Sequence, residues 1–150
     1  MRIVSEKAQQ EAAEKLVASL NKMDGVESSL DIRTSGTQNR PIVNASVPPE
    51  NWRKVAEQLK EKHSVDHCSM ITGIHWPESS DKKWEVVYHF LRTGIRDPVI
   101  EEGLVIPNIV DFSKVKGKNV PLEIQISVKI GETRTPSAAS VQDLWVGADW

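Results

Sequence analysis

Between Glu6 and Met23 the apolar residues Ala8, Ala12, Ala13, Leu16, Val17, Leu20 and Met23 return at three- and four-residue steps. Such spacing lines one face of a helix, so an amphipathic helix is predicted, with Ser5 as its cap and Gly25 just past its end. The period then changes. Val26, Leu30 and Ile32 alternate with polar residues up to the turn-rich Ser35-Gly-Thr-Gln-Asn-Arg40, after which Val43, Ala45 and Val47 alternate again, and a hairpin is expected. Pro48-Pro49-Glu50-Asn51 opens a second helix, because proline suits a first turn and Glu50 complements the helix dipole. Trp52, Val55, Ala56 and Leu59 give that helix one buried face, and it should end near His63.

Three more strands are predicted, at Val65–Trp76, Trp84–Arg92 and Pro121–Ile130. In the last, Leu122, Ile124, Ile126, Val128 and Ile130 alternate strictly with Glu123, Gln125, Ser127 and Lys129, so one face is buried and the other wet. Each such side chain contributes roughly 1.5–3 kcal/mol when buried, which makes this strand central to the core. In Trp84–Arg92, Trp84, Val86, Tyr88 and Phe90 share one face while Val87 and Leu91 lie on the other, so both faces should be partly covered. The stretch Pro77–Lys83 suits a hairpin connection.

The order is helix, two strands, helix, three strands and a C-terminal helical segment. It points to a two-layer α+β fold with a mixed sheet and helices on one face. Residues 1–130 read as a single domain with a long insertion at 93–119, where Gly94, Pro98, Gly103, Pro107 and Gly117 surround the clusters Val99-Ile100, Leu104-Val-Ile106 and Ile109-Val110. Loops of this length are usually functional or mobile. Residues 131–150 read as a docking segment that breaks off in mid-motif: past Pro136, Val141, Leu144, Trp145 and Ala148 fall at helical spacing, with Ser137 or Ser140 as a cap, and Trp150 closes the chain. An aromatic ring buries on the order of 150–250 Å², so two indoles in the terminal turns imply a partner that covers them. The alternative is that both fold back onto this chain's own sheet.

Composition narrows the function classes. In 150 residues, 27% are charged and the net charge is −2, so no basic stripe is available to neutralise phosphates and a nucleic-acid partner is not expected. No apolar run approaches the ~20 residues of a membrane span, and Met1-Arg-Ile-Val-Ser turns polar too soon for a signal peptide. A soluble cytosolic protein is expected. The single cysteine, Cys68, rules out an internal disulfide and a cysteine-only metal or iron–sulfur site.

The sharpest enzymatic lead is His63-Ser-Val-Asp-His67-Cys68 with His75 and His89 nearby, as a metal site or a Cys/His nucleophile. Adjacent strand residues point to opposite faces, so His67 and Cys68 cannot address one site unless the strand is bulged. His67 and His75 share strand parity but lie roughly 26 Å apart at ~3.3 Å per residue. Cys68 is placed on the face of Met70, Ile74 and Trp76, as a small inert core thiol. Ser35-Gly-Thr and Lys114-Val-Lys-Gly-Lys118 lack the glycine spacing and following helix of a nucleotide cradle. Glu101-Glu102 lacks the apolar setting that raises a carboxyl pKa for acid–base work.

Three stretches carry a family resemblance: Val65-Asp-His-Cys-Ser-Met-Ile-Thr-Gly-Ile-His-Trp76, Trp84-Glu-Val-Val-Tyr-His-Phe-Leu91 and Ser140-Val-Gln-Asp-Leu-Trp-Val-Gly-Ala-Asp-Trp150. With the order of elements, they resemble the C-type subunit of respiratory complex I (NADH-quinone oxidoreductase), a family with relatives in membrane-bound hydrogenases and methanogen dehydrogenases. In that family a stretch like Ser140–Trp150 runs into a Glu-Arg-Glu motif and a tail that wraps onto the large, D-type subunit; this sequence stops one step before it. The insertion 93–119 is also longer than the family's usual connection. The resemblance implies a non-catalytic accessory subunit of the hydrophilic arm, with no cofactor in this chain. It would dock on the D-type or a hydrogenase-like large subunit, beside other hydrophilic-arm subunits. It would be cytoplasmic, meeting the membrane only through its complex. The expected contact residues are Arg134, Leu144, Trp145 and Trp150, with Val99, Ile106 and Ile109 in the insertion. The alternative is a small stand-alone metal-binding protein or Cys/His enzyme.

Overall fold

Helix α1 (Glu6–Asn21) buries Ala12, Ala13, Leu16 and Leu20, the apolar stripe that its spacing predicts. A computed structural model of the chain describes residues 6–36, 38–80, 82–94, 99–106, 120–131 and 133–145; Ser5, the expected cap, lies outside them. The helix stops two residues short of Met23 because the chain tightens into turns, with Met23 N donating to Leu20 O at 3.0 Å and Val26 N to Met23 O at 3.2 Å. Gly25 completes the reversal at φ +73°, and a Cβ there would lie 2.7 Å from Pro48 Cγ. Backbone sign and space both require glycine at this position.

Strands β1 (Glu27–Ser35) and β2 (Gln38–Val47) form the expected hairpin, with Leu30 opposite Val43. A short 3-10 turn (Pro49–Asn51) leads into α2 (Trp52–His63), which buries Trp52, Val55, Ala56 and Leu59. It ends where the sequence indicates, at Ser64 in the left-handed conformation (φ 55°), whose N–H returns to Leu59 O. Strands β3 (His67–His75) and β4 (Trp84–Arg92) come next in the chain. A short pair, β5 (Val99–Glu101) and β6 (Leu104–Ile106), precedes the last strand, β7 (Leu122–Ile130).

The main sheet runs β1-β2-β7-β4-β3. Strand β7, though last, lies in the middle, parallel to β2 and antiparallel to β4. Its five alternating residues explain the placement: Leu122, Ile124, Ile126, Val128 and Ile130 are all buried, which a central strand under the helices allows. Trp52 of α2 closes the other end of the core against Tyr88 (centroids 4.5 Å apart) and Phe90 (6.1 Å). This is an α+β fold with a mixed sheet. On the face away from the helices, Asn44 Nδ2 donates to Asp31 Oδ2 (2.6 Å) and Arg40 pairs with Glu123 (3.3 Å). Val87 is buried on that face, as the two-sided pattern of β4 indicates.

Three features depart from the sequence reading. Within the insertion, β5 and β6 pair antiparallel around Glu102-Gly103, both at positive φ (50° and 77°), the geometry of a two-residue hairpin turn. At the C-terminus, the described part of the helical segment is a single turn, with Leu144 N and Trp145 N both reaching Val141 O. In β3, the register shifts between Cys68 and Met70. The extra residue of such a bulge reverses the facing of the residues beyond it. Cys68 therefore lies opposite Phe90 on the core side, while Met70, Thr72 and Ile74 lie opposite His89, Val87 and Glu85 on the other. The placement of Cys68 with Met70 and Ile74, and the shared parity of His67 and His75, are corrected accordingly.

Arg92 locks the end of β4. Its side chain is buried, with Nε donating to Val120 O (2.8 Å) and Nη1 to His63 O (3.2 Å). Burial pulls its pKa down to about 10, against the opposing pull of Asp66. The guanidinium thus ties the C-terminal carbonyl of α2 to the point where the chain returns into β7.

Candidate docking surface

The segment expected to dock is fastened to this chain's own core. Trp145 is 3% exposed, stacks at a tilt on Phe90 (centroids 4.5 Å apart) and donates its indole Nε1 to Val65 O at 2.9 Å. This corrects the expectation that Trp145 offers its ring to a partner. The ring fills the end of the sheet under α2, and its one polar atom finds a carbonyl there, so folding back leaves nothing unsatisfied. Val141 is buried beside it, and Leu144 is half-buried against the same core. Of the other expected contact residues, Arg134 is exposed. Val99 and Ile106 are described by backbone only, and Ile109 and Trp150 lie outside the described residues.

A second fastening was not visible in sequence. Arg53, on the outer side of α2, meets Asp143 through two parallel bonds, Nη1 to Oδ1 at 2.6 Å and Nη2 to Oδ2 at 2.7 Å. The same guanidinium donates to Ser140 O (3.0 Å) and to Glu57 Oε1 (2.9 Å). Only the spacing to Glu57 is local; Asp143 lies 90 residues away, beyond any pattern of adjacent residues.

The bonds from Arg53 hold the Asp143 carboxyl below its ordinary value. A lowered acidic pKa contributes stability that is complete above the unfolded value, ~3.9, and is lost as the pH falls through the folded one. Asp143→Asn is therefore expected to lower stability at neutral pH and to match the native protein only once the pH has fallen below the folded-state value, itself lower than ~3.9. Denaturant midpoints measured from neutral to acid pH check this; a constant gap would remove the clip.

The Cys/His candidates are not brought together. Cys68 is buried opposite Phe90, and burial pushes its thiol up to about 11, away from the nucleophilic thiolate. His67 lies opposite Leu91, His89 opposite Met70, and His75 stacks on Trp84 at 4.0 Å, while the backbone carbonyl of His63 accepts from Arg92. Among the described residues no three His, Cys, Asp or Glu side chains are grouped to hold a metal ion. On the open sheet face, Glu85 accepts from Ser127 and from Trp76 Nε1 (3.1 Å), so this carboxylate is already engaged. Gly36 lies in the turn between β1 and β2, and 114–118 lie outside the described residues.

Among the described residues no helix is long and apolar enough to cross a membrane. No curated protein matches the chain. A solved structure, "Nqo5 of the trypsin-resistant fragment (1-134) in P63 form", is similar at 16% identity and a TM-score of 0.49, covering 88% of this chain and 80% of that one. A family model described as "Respiratory-chain NADH dehydrogenase, 30 Kd subunit" matches residues 45–150. That match runs from near the end of β2 through the C-terminal residues, and by it the chain belongs to the 30 Kd subunit family of respiratory-chain NADH dehydrogenase.

Proposed function

We propose that this chain is a non-catalytic accessory subunit of the hydrophilic arm of a complex I-like oxidoreductase, and that it docks on the large subunit, of the D or hydrogenase-like type. Family membership carries the reading. The geometry supports it in two ways. Three of the four histidines are spread over β3 and β4, the fourth ends α2, and the one thiol is a buried core group, an arrangement that suits a role in which partner chains carry the redox chemistry. The C-terminal turn is held against the body by Trp145 and by Arg53–Asp143, which presents half-buried Leu144 from a held backbone, with exposed Arg134 preceding it in the chain. Arginine is a frequent interface anchor, and a held backbone lowers the ordering cost of binding. Association with the membrane is then through the complex.

Purification of the tagged full chain from its native cells, with mass spectrometry of what accompanies it, tests the reading. A stoichiometric large subunit is expected. A chain that purifies alone and either carries stoichiometric metal or turns over a substrate by itself would overturn it.

A further inference from the structure

Two arginines face each other at one end of the open sheet face. Arg33 on β1 and Arg40 on β2 are direct cross-strand partners, and both point away from the helices, because they keep the parity of Asp31 and Asn44, which bond on that face. Like charges directly opposite destabilise an antiparallel pair, so this register works against the hairpin that carries it. The neighbouring carboxylates do not resolve the conflict. Asp31 accepts from Asn44 Nδ2 (2.6 Å) and Glu123 pairs with Arg40 (3.3 Å), while among the described residues no carboxylate engages the Arg33 guanidinium. A position that breaks a local rule without compensation inside the fold is where a functional contact is expected. Both arginines line a groove of about 280 Å³ that crosses the sheet from β1 to β3. Buried Ile42 lies in its floor, and Met70, 53% exposed, stands at its far end.

We propose that this groove receives an acidic segment of a partner protein, with a side-chain carboxylate on the Arg33–Arg40 pair and an apolar side chain over Leu91 and Met70. Assigning that segment to the large subunit rests on the accessory-subunit reading. Charge complementarity selects the occupant. A carboxylate between the two guanidiniums replaces their repulsion with two attractions, and it can accept parallel bonds from Arg33, whose planar fork is uncommitted. The other end of the same face carries Glu27 and Glu85 beside Lys129, so a carboxylate is drawn to the arginine end. A nucleic acid needs several phosphates neutralised together, which a chain of net charge −2 with one uncommitted guanidinium in the groove does not supply. A small anion would leave Leu91 and Met70 uncovered. The groove touches all five strands of the sheet and lies open along its length, a shape that takes an extended chain rather than an enclosed small molecule. Arg33 is then a residue that costs the fold stability and serves the interface.

Arg33→Glu turns the like pair into an opposite one and tests this. Its unfolding midpoint in denaturant is expected to equal or exceed that of the native chain, which a merely structural role for Arg33 would not give. In amide NMR of the full chain, poly-L-glutamate at neutral pH is expected to shift the resonances of Arg33, Arg40 and Ile42, and to leave them in place in Arg33→Glu. Titrated into the isolated large subunit, Arg33→Glu is expected to bind about tenfold or more weakly than the native chain. Lys54→Glu, the same charge change on the exposed side of α2, is expected to bind as the native chain does. A lowered midpoint or native-like binding in Arg33→Glu, an equal loss in Lys54→Glu, or poly-L-glutamate shifts that are absent or spread over the whole surface would overturn the proposal. A native chain that takes up poly-L-glutamate at Arg33 and Arg40 but does not bind the large subunit would uphold the groove as a site for an acidic segment and contradict the accessory-subunit reading instead.

Discussion

Trp145→Ala is expected to lower the unfolding free energy by about 3–5 kcal/mol, the usual cost of removing a large aromatic ring from a packed interior. The ring is almost wholly buried, lies against Phe90, and holds the Val65 carbonyl that begins the approach to β3. Domains of this size are stable by roughly 5–15 kcal/mol in total, so the loss would remove about a fifth or more of the reserve. Trp145→Phe separates the two contributions. It keeps most of the apolar fill but leaves the Val65 carbonyl without its donor, for an expected ~1–3 kcal/mol. Denaturant unfolding followed by far-ultraviolet circular dichroism measures both. A cost below about 1 kcal/mol for alanine would mean that the C-terminal segment is not part of the fold's cooperative core.

Phe90→Ala should be comparably severe, at about 3–5 kcal/mol, because Phe90 is the side chain on which Trp52 of α2, Tyr88 of β4 and Trp145 of the C-terminal turn converge. The residue is 1% exposed, so its removal would leave a cavity inside the packed core. Phe90 and Trp145 touch, so the double variant should cost less than the sum of the two, by about 0.5–3 kcal/mol. Additive losses would show that the two rings stabilise the fold independently, contrary to a single aromatic cluster.

The parts legible in sequence are those governed by a local period. The alternation of Leu122–Ile130 and the spacing of Trp52, Val55, Ala56 and Leu59 each marked a buried face, and β4 spans Trp84–Arg92 as its apolar pattern indicates. What escaped depends on distant partners or on a single residue. The bulge between Cys68 and Met70 adds one position and leaves no mark in composition, yet it reverses the facing of the rest of β3. The β5–β6 hairpin had a signal, Glu102-Gly103 between the short runs Val99-Ile-Glu101 and Leu104-Val-Ile106, that the surrounding prolines and glycines obscured. Terminal tryptophans look alike in sequence whether a partner or the chain itself covers them. For Trp145 the choice was made by a carbonyl 80 residues away, and for Asp143 by an arginine 90 residues away.

Moving Trp145 from the surface to the core changes what its substitution can report. A Trp145 variant that loses a partner would mainly record a loosened C-terminal segment, so contact has to be probed at a side chain that the fold does not need. Exposed Arg134 is such a residue. The most direct measurement is calorimetric titration of the full chain, and of Arg134→Glu with unchanged unfolding midpoint, into the isolated large subunit, with the large subunit's turnover followed in parallel. Saturable binding by the native chain, restored turnover, and an affinity about 30-fold weaker in the variant are expected, the last being the effect of a lost anchor worth ~2 kcal/mol. No heat of binding and no change in turnover, with the chain folded and the large subunit intact, would contradict an accessory docking role.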